Sequence, residues 1–463
     1  MLIKQIWEPQ EDVLTIRSFE QGLHPENQAM FDGEKGEMWW YSSKELWVGL
    51  GKSPRLPVLI KIFRTVFFKR KNRWPEHIIL DARGRSADWI ENVINGIILG
   101  GYNIQLYKTD FQKLSAFFES GTLSILTDND SASLDRSSEI AQKTALVQMR
   151  IMNLMNAPAN YKNPEMLGEW AKESGAINNY KVTVLHKSDL ETLGMHALLA
   201  VSKGSEAPPV MIVTEYVPEH YTKTVALVGK GVTFDTGGIS IKTSANMHLM
   251  KSDMGGAAAV LGAVELAAQL KIPVRVIGVI PSTENSVDGL SMKPGDVISS
   301  YSGKTIEVID TDAEGRLILA DGLSYAVREF KPDVVVDLAT LTGSVIQTLG
   351  YEAAGLFTPN DELAAALATA GEQTGEKVWR LPVWDAYKEE IASDIADLKN
   401  YHGKPIAGAI VAAKFLEVFT DEHPAWAHLD IAGTAFGDTE YAPGRAGTAY
   451  GVRLLLHYLS AII

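Results

Sequence analysis

Three features of this sequence predict an α/β fold in two domains, a small N-terminal one and a larger C-terminal one with a largely parallel central sheet covered by helices. From residue 180 onward, apolar runs of strand length at 182–185, 209–213, 224–229, 274–280, 305–309 and 334–338 alternate with helical patterns. Alternation on that scale makes crossover units and a sheet buried on both faces. At 463 residues the chain exceeds one ordinary core. The stretch TDNDSASLDRSS at 127–138 is polar and aperiodic, which marks a linker. The boundaries that follow are 1–130 for the first domain, 131–160 for a linker and connecting helix, and 161–463 for the second.

Taken in order, the first 130 residues mix strand-like runs at 58–63 and 77–80 with a helical pattern at 87–99, and they hold no constellation that carries chemistry. Trp39, Trp40 and Trp47 could form a binding surface, but aromatic residues in this number more often serve a core or a subunit contact. The basic run KRKNR at 69–73 reads as a solvated loop. Ser138 and Glu139 can start a helix that buries Ala145, Met149, Met152 and Met155 before Pro158 stops it. A Gly-rich stretch at 443–451 precedes a short apolar helix, and no internal repeat is present.

Composition excludes several classes. The net charge of −14 argues against a general nucleic-acid or anionic-membrane binder, since either partner is repelled by the average field. The absence of cysteine rules out disulfide frameworks, thiolate zinc sites and cysteine nucleophiles. The N-terminal MLIKQIWEPQEDV has acidic residues where a signal peptide needs an apolar core, and no later run approaches membrane-spanning length. Cytoplasmic residence, with no membrane partner, is therefore the expectation.

The chemistry concentrates in two stretches. At 305–323, TIEVIDTDAEGRLILADGL begins with strand character and ends as a helix with Leu317, Ala320, Leu323 and Val327 on one face. Between them, extended backbone would point Asp310, Asp312, Glu314 and Arg316 to one side. Three crowded carboxylates repel, and one arginine is too little compensation, so a metal is the natural candidate. DAEG alone would serve equally as a solvated acidic turn. The stretch at 224–259, TVALVGKGVTFDTGGISIKTSANMHLMKSDMGGAAA, tips the balance. Its strand delivers Lys230, Asp235, Lys242 and then Asp253 into a loop ahead of a helix, at the carboxyl edge where open α/β sheets place their sites.

GKGVTFDTGG, MKSDMGGAAA and DTDAEGRL, with MKPGDVISSYSGKTIEV leading into the last, resemble the leucyl aminopeptidase family of dinuclear metallo-exopeptidases. NAPANYKNP, DLATLTGS, AGAIVAAKFL and WAHLDIAGTAF continue the resemblance from Arg150 to the C-terminus. It implies that the second domain is a metallopeptidase catalytic domain, removing a leucine-like N-terminal residue from peptides through a water that bridges two metals. Asp235 and Glu314 would bridge the ions, Asp312 would complete one site, and Lys230 with Asp253 the other. Lys242 would stabilise the gem-diolate, and Arg316 would hold a bicarbonate acting as base. Met250, Thr340, Leu341, Thr342 and Gly343 would line the substrate pocket, with the 443–451 stretch near the substrate. The mostly oxygen ligand set suits zinc or manganese, with magnesium a further option. The family is typically hexameric. It usually has Asn where this chain has Asp310.

Competing chemistries lack their residues. There is no HExxH and no GxSxG, and the ten histidines are scattered. His248 could be a ligand or a pocket-lining residue, whereas His428, beside Trp426 and Leu429, reads as a satisfied core residue. Gly303, Lys304 and Thr305 resemble the end of a P-loop, but Ile298 stands where its first glycine belongs. Two alternatives remain: a binding or regulatory protein on the same scaffold, and another dinuclear hydrolase such as a phosphoesterase.

Overall fold

The computed structural model describes residues 1–23, 30–437 and 440–463. The chain forms two compact units, Met1–Met149 and Arg150–Ile463, and each is α/β.

The first unit carries a six-stranded sheet in the order Leu2–Ile6, Thr122–Leu126, His77–Asp81, Leu14–Phe19, Glu45–Gly49, Met38–Ser42, with only the last pairing antiparallel. The helical pattern at 87–99 is the helix Ala87–Leu99, capped by Ser86. The run at 58–63 is not a strand. It lies inside helix Leu56–Lys69, whose buried Leu59, Ile62, Phe63, Val66 and Phe67 recur at helical spacing, a period that a six-residue window conceals. Trp47 is buried among Phe19, Phe31, Trp39 and Tyr41, while Trp40 receives the Arg70 guanidinium 4.6 Å above its ring. The basic run is thus partly pinned rather than simply solvated: Lys71 also donates to Asn103.

Helix Ser131–Asn156 begins seven residues before the predicted start at Ser138. Asp130 caps it, accepting from the Ser133 amide at 2.9 Å, so most of the predicted linker is helical. Ala145, Met152 and Met155 are buried and Met149 is half-buried.

In the second unit a nine-stranded sheet runs Val378–Leu381, Ala354–Phe357, Trp426–Asp430, Val334–Ala339, Thr224–Gly229, Arg275–Asn285, Val210–Tyr216, Lys181–Leu185, and Gly231–Asp235 pairs with the far end of Arg275–Asn285. Its centre is parallel, and antiparallel pairings lie toward the flanks. Every residue of Thr224–Gly229 is buried, as a sheet covered on both faces requires. Helix Gly315–Phe330 packs Leu317, Ala320 and Leu323 against Ala226, Val228, Ile277 and Val279. Helix Gly255–Gln269 is buried from Gly255 to Ala268, and it approaches so closely that a Cβ on Gly256 would meet the Leu338 carbonyl oxygen at 1.9 Å.

One predicted strand belongs elsewhere. Thr305–Glu307 lies in a separate three-stranded sheet, between Val297–Ser299 and Leu398–Lys399, and stops two residues short of the predicted end. The chain then turns, because the Ile309 amide bonds a side chain, Asn400, instead of a neighbouring strand.

Candidate metal centre

Three adjacent parallel strands end at one edge of the sheet and hand on to Lys230, to Thr340 and, at the last strand's own end, to Asp430. Beyond Lys230 the chain continues as Gly231–Asp235, whose Asp235 stands beside Asn285. Asn285 Nδ2 donates to Asp235 Oδ1 (2.9 Å) and to the Thr311 carbonyl (3.0 Å). Thr311 in turn donates to Gly237 O and accepts from the Ser240 amide, so the 236–242 loop and the 310–314 turn are stitched together.

That turn corrects one expectation. The residues 310–314 are not extended, and Asp310 does not face the cluster: its Oδ1 accepts the Asp312 amide at 2.8 Å, closing a local turn. Asp312 and Glu314 do converge with Asp235, offering oxygens within 4.8 Å of one another. Lys242 Nζ lies 2.8 Å from Asp235 Oδ2 and also pairs with Asp312. Lys230 Nζ lies 2.7 Å from Asp253 Oδ2, 2.9 Å from Glu314 Oε1 and 3.0 Å from the Thr340 carbonyl. A Cβ on Gly315 would meet Lys230 Cε at 2.6 Å, so glycine leaves room for that lysine.

Four carboxylates therefore face two ammonium groups in a largely buried space. Burial, reinforced by Asp235 and Glu314 and opposed by Lys230, pushes Asp253 up to about 8. Asp312 rises to about 7 and Glu314 rises as well, burial leading in both. For Lys230 and Lys242 burial works against the charge, but the surrounding carboxylates outweigh it and hold both well above the usual lysine range. Glu314 Oε2 is buried with no hydrogen-bond partner. A mainly oxygen-lined pocket short of positive charge, with an orphaned carboxylate oxygen, fits divalent cations. Arg316 is 5% exposed, donates from Nη1 to Asn400 O (2.8 Å) and leaves its buried Nε unpartnered, which fits a small anion. Burial draws it down to about 10 against the pull of Glu314 and Asp430.

The pocket residues gather at the same edge. Thr340 donates to Asp253 Oδ1 at 2.7 Å. Leu341 and Thr342 are held by Asp430, which accepts both backbone amides and the Thr342 hydroxyl, and Thr342 caps the helix Gly343–Leu349. Met250 is half-buried on the turn Met247–Ser252 and accepts the Asp253 amide. His248 on that turn is exposed and stands outside the carboxylate group. His428 sits in the sheet interior, as expected, with Nδ1 2.6 Å from Asp337, but it is only half satisfied, because its Nε2 is buried without a hydrogen-bond partner.

Sequence reasoning missed Asn285, Thr311, Asn400 and Lys162. Thr311 lies between two singled-out aspartates, and Lys162 lies within NAPANYKNP. Lys162 is buried and holds the Lys251 carbonyl at 2.6 Å, tying down the turn that leads to Asp253. Asn400 carries no local signal at all.

The profile of the cytosol aminopeptidase family, catalytic domain, matches residues 150–456. This chain belongs to the cytosol aminopeptidase family. It is 49% identical over 384 residues to a probable cytosol aminopeptidase of Chlorobium luteolum, covering 80% of this chain and 75% of that protein. A namesake from Desulforapulum autotrophicum is 42% identical, covering 82% and 73%. Among solved structures, the bottromycin maturation enzyme BotP in complex with Mn superposes with a TM-score of 0.87 at 32% identity, over 97% of this chain and 99% of that one. Cytosol aminopeptidases are metal-dependent hydrolases, and the carboxylate cluster lies inside the matched region.

Proposed function

We propose that this protein removes single residues, leucine-like ones preferred, from the N-termini of peptides, using two divalent cations of zinc, manganese or magnesium. The observation that carries this reading is the buried excess of carboxylate over ammonium at Asp235, Asp253, Asp312 and Glu314, with Glu314 Oε2 unpartnered. Asp235 and Glu314 would bridge the ions, with Asp312 on one and Lys230 and Asp253 on the other. When bound, such a pair acidifies a water and polarises the scissile carbonyl.

The protein's own groups do the rest. Lys242, partly exposed at the cluster, presents an ammonium to the oxygen that gains charge as the carbonyl is attacked. Arg316, with Nε unpartnered, would hold bicarbonate, which would supply the proton acceptor that these motifs otherwise lack. Thr340 to Gly343, fixed by Asp430 and Asp253, form with Met250 the walls that receive the first side chain. A polarisable thioether suits varied apolar groups. A homohexamer acting in the cytoplasm completes the proposal, on the strength of family membership.

The test is turnover of a panel of aminoacyl amides after exhaustive chelation and after reconstitution with zinc, manganese or magnesium, with phosphate esters in parallel. Chelation should abolish amide hydrolysis and a divalent cation should restore it. Full activity in protein shown by elemental analysis to be metal-free, or hydrolysis of the esters alone, would overturn the reading.

A further inference from the structure

We propose that Asn400 is a positioning residue whose side-chain amide shapes the 310–314 turn while its backbone anchors Arg316, so that metal affinity and turnover depend on it together. The proposal rests on the functional reading above and adds to it a residue that touches none of the reacting atoms.

Strand Leu398–Lys399 pairs in parallel with Ile306 and Glu307, and the Asn400 amide N–H adds a last rung to the Glu307 carbonyl at 3.0 Å. There the partner strand leaves the ladder and enters the turn that carries Asp312 and Glu314. Backbone groups that leave a ladder inside a protein must find other partners. The Asn400 side chain supplies them. Its Oδ1 accepts from the Ile309 amide (2.8 Å) and the Asp310 amide (3.3 Å), and its Nδ2 donates to the Asp310 carbonyl (2.7 Å) and the Ala313 carbonyl (3.3 Å).

Both lone pairs and both hydrogens of the amide are thereby used, and the residue is wholly buried. Its own carbonyl accepts Arg316 Nη1 at 2.8 Å. One residue thus grips the turn on which Asp312 and Glu314 stand and the guanidinium two residues further on. No other side chain of this size offers the same four bonds. Aspartate would aim an oxygen at two carbonyls, and serine is too short to serve both ends.

The experiment compares Asn400→Asp, Asn400→Ser and, as a control for lost stability, Ser324→Ala, which removes a buried hydrogen bond to Phe419 from the helix that bears Arg316. Metal affinity is read by competition with a chelating dye, and kcat and KM on a leucyl amide at saturating metal. Support for outer ligands is commonly worth roughly 10- to 100-fold in metal affinity or activity. Both Asn400 variants should weaken metal binding and lower kcat by about that factor, with KM within about 3-fold of wild type, while Ser324→Ala keeps wild-type affinity. Asn400 variants that bind metal and turn over like wild type overturn the proposal. So does failure of both to fold, which would make the residue purely structural. A wild type that hydrolyses the amide without metal instead defeats the functional reading beneath it.

Discussion

Lys230 Nζ stands 2.7 Å from Asp253 Oδ2, with both side chains almost entirely out of solvent. The same ammonium reaches Glu314, so it compensates two buried carboxylates at once. Breaking a buried pair from one side leaves charge unpaired. Lys230→Met should therefore destabilise the chelated protein by about 3 kcal/mol in urea unfolding at pH 8. Elemental analysis of the reconstituted variant should find one tightly held ion per chain instead of two. Two retained ions would remove Lys230 from the ligand set.

Arg316 serves the transition state in this scheme, so its loss should appear in turnover more than in binding. Arg316→Ala is expected to lower kcat by at least about tenfold with little change in KM. Added bicarbonate should stimulate the wild type and barely affect the variant. Equal stimulation of both would take the anion away from Arg316.

Asp321 offers a pH test remote from the carboxylate cluster. It is fully buried in helix Gly315–Phe330, and its two oxygens accept the Leu198 amide (2.9 Å) and the Tyr301 amide (2.8 Å). Burial pushes it up to about 7 from 3.8, against the pull of those amides. Between these values the folded chain binds a proton that the unfolded chain does not, so this group's contribution to stability falls as pH rises from about 4 to about 7. Asp321→Asn loses a backbone bond and should be the less stable protein at pH 4. The gap should narrow toward pH 8, by up to roughly 4 kcal/mol if the whole displacement is realised. A gap that stays constant across urea titrations at several pH values would show that Asp321 does not titrate in this range.

The pocket walls make a prediction about substrates. Half-buried Met250 leads into the acidic cluster through Asp253. Leucyl and methionyl amides should be turned over at least about tenfold faster than aspartyl or glutamyl ones, because an acidic side chain meets like charge and gains nothing from an apolar wall. Faster hydrolysis of the acidic amides would contradict this assignment of the pocket.

The legible parts of the fold were those whose period shows in a short window or whose ends carry their own signals. Strand Thr224–Gly229 is apolar from Val225 on and bounded by Lys223 and Lys230, and helix Ala87–Leu99 opens on a Ser86 cap. Helix Leu56–Lys69 reads as a strand at 58–63 because five apolar residues in six, four of them β-branched or aromatic, look like a strand until the next turn is counted. The start of helix Ser131–Asn156 was hidden by serines and aspartates that favour linkers, although Asp130 is a good cap.

What the sequence by itself determined was the set of motifs, their order, and the expectation that Lys230, Asp235, Asp253, Asp312 and Glu314 meet at the carboxyl edge of a parallel sheet. For Lys230, Asp235 and Asp253 the succession of strand, loop and helix favours that placement; for Asp312 and Glu314, which follow a strand of the separate three-stranded sheet, it came only from the family resemblance. Only the tertiary structure decided which groups face each other: Lys230 with the Thr340 carbonyl, 110 residues away, Lys242 with Asp235 and Asp312, and Asp310 turned aside onto the Asp312 amide. Asn400 shows the difference most plainly. Its four bonds to residues 309–313 span about 90 positions of chain. No local propensity encodes them, because they exist only where two strands from distant segments pair and one of them leaves the ladder.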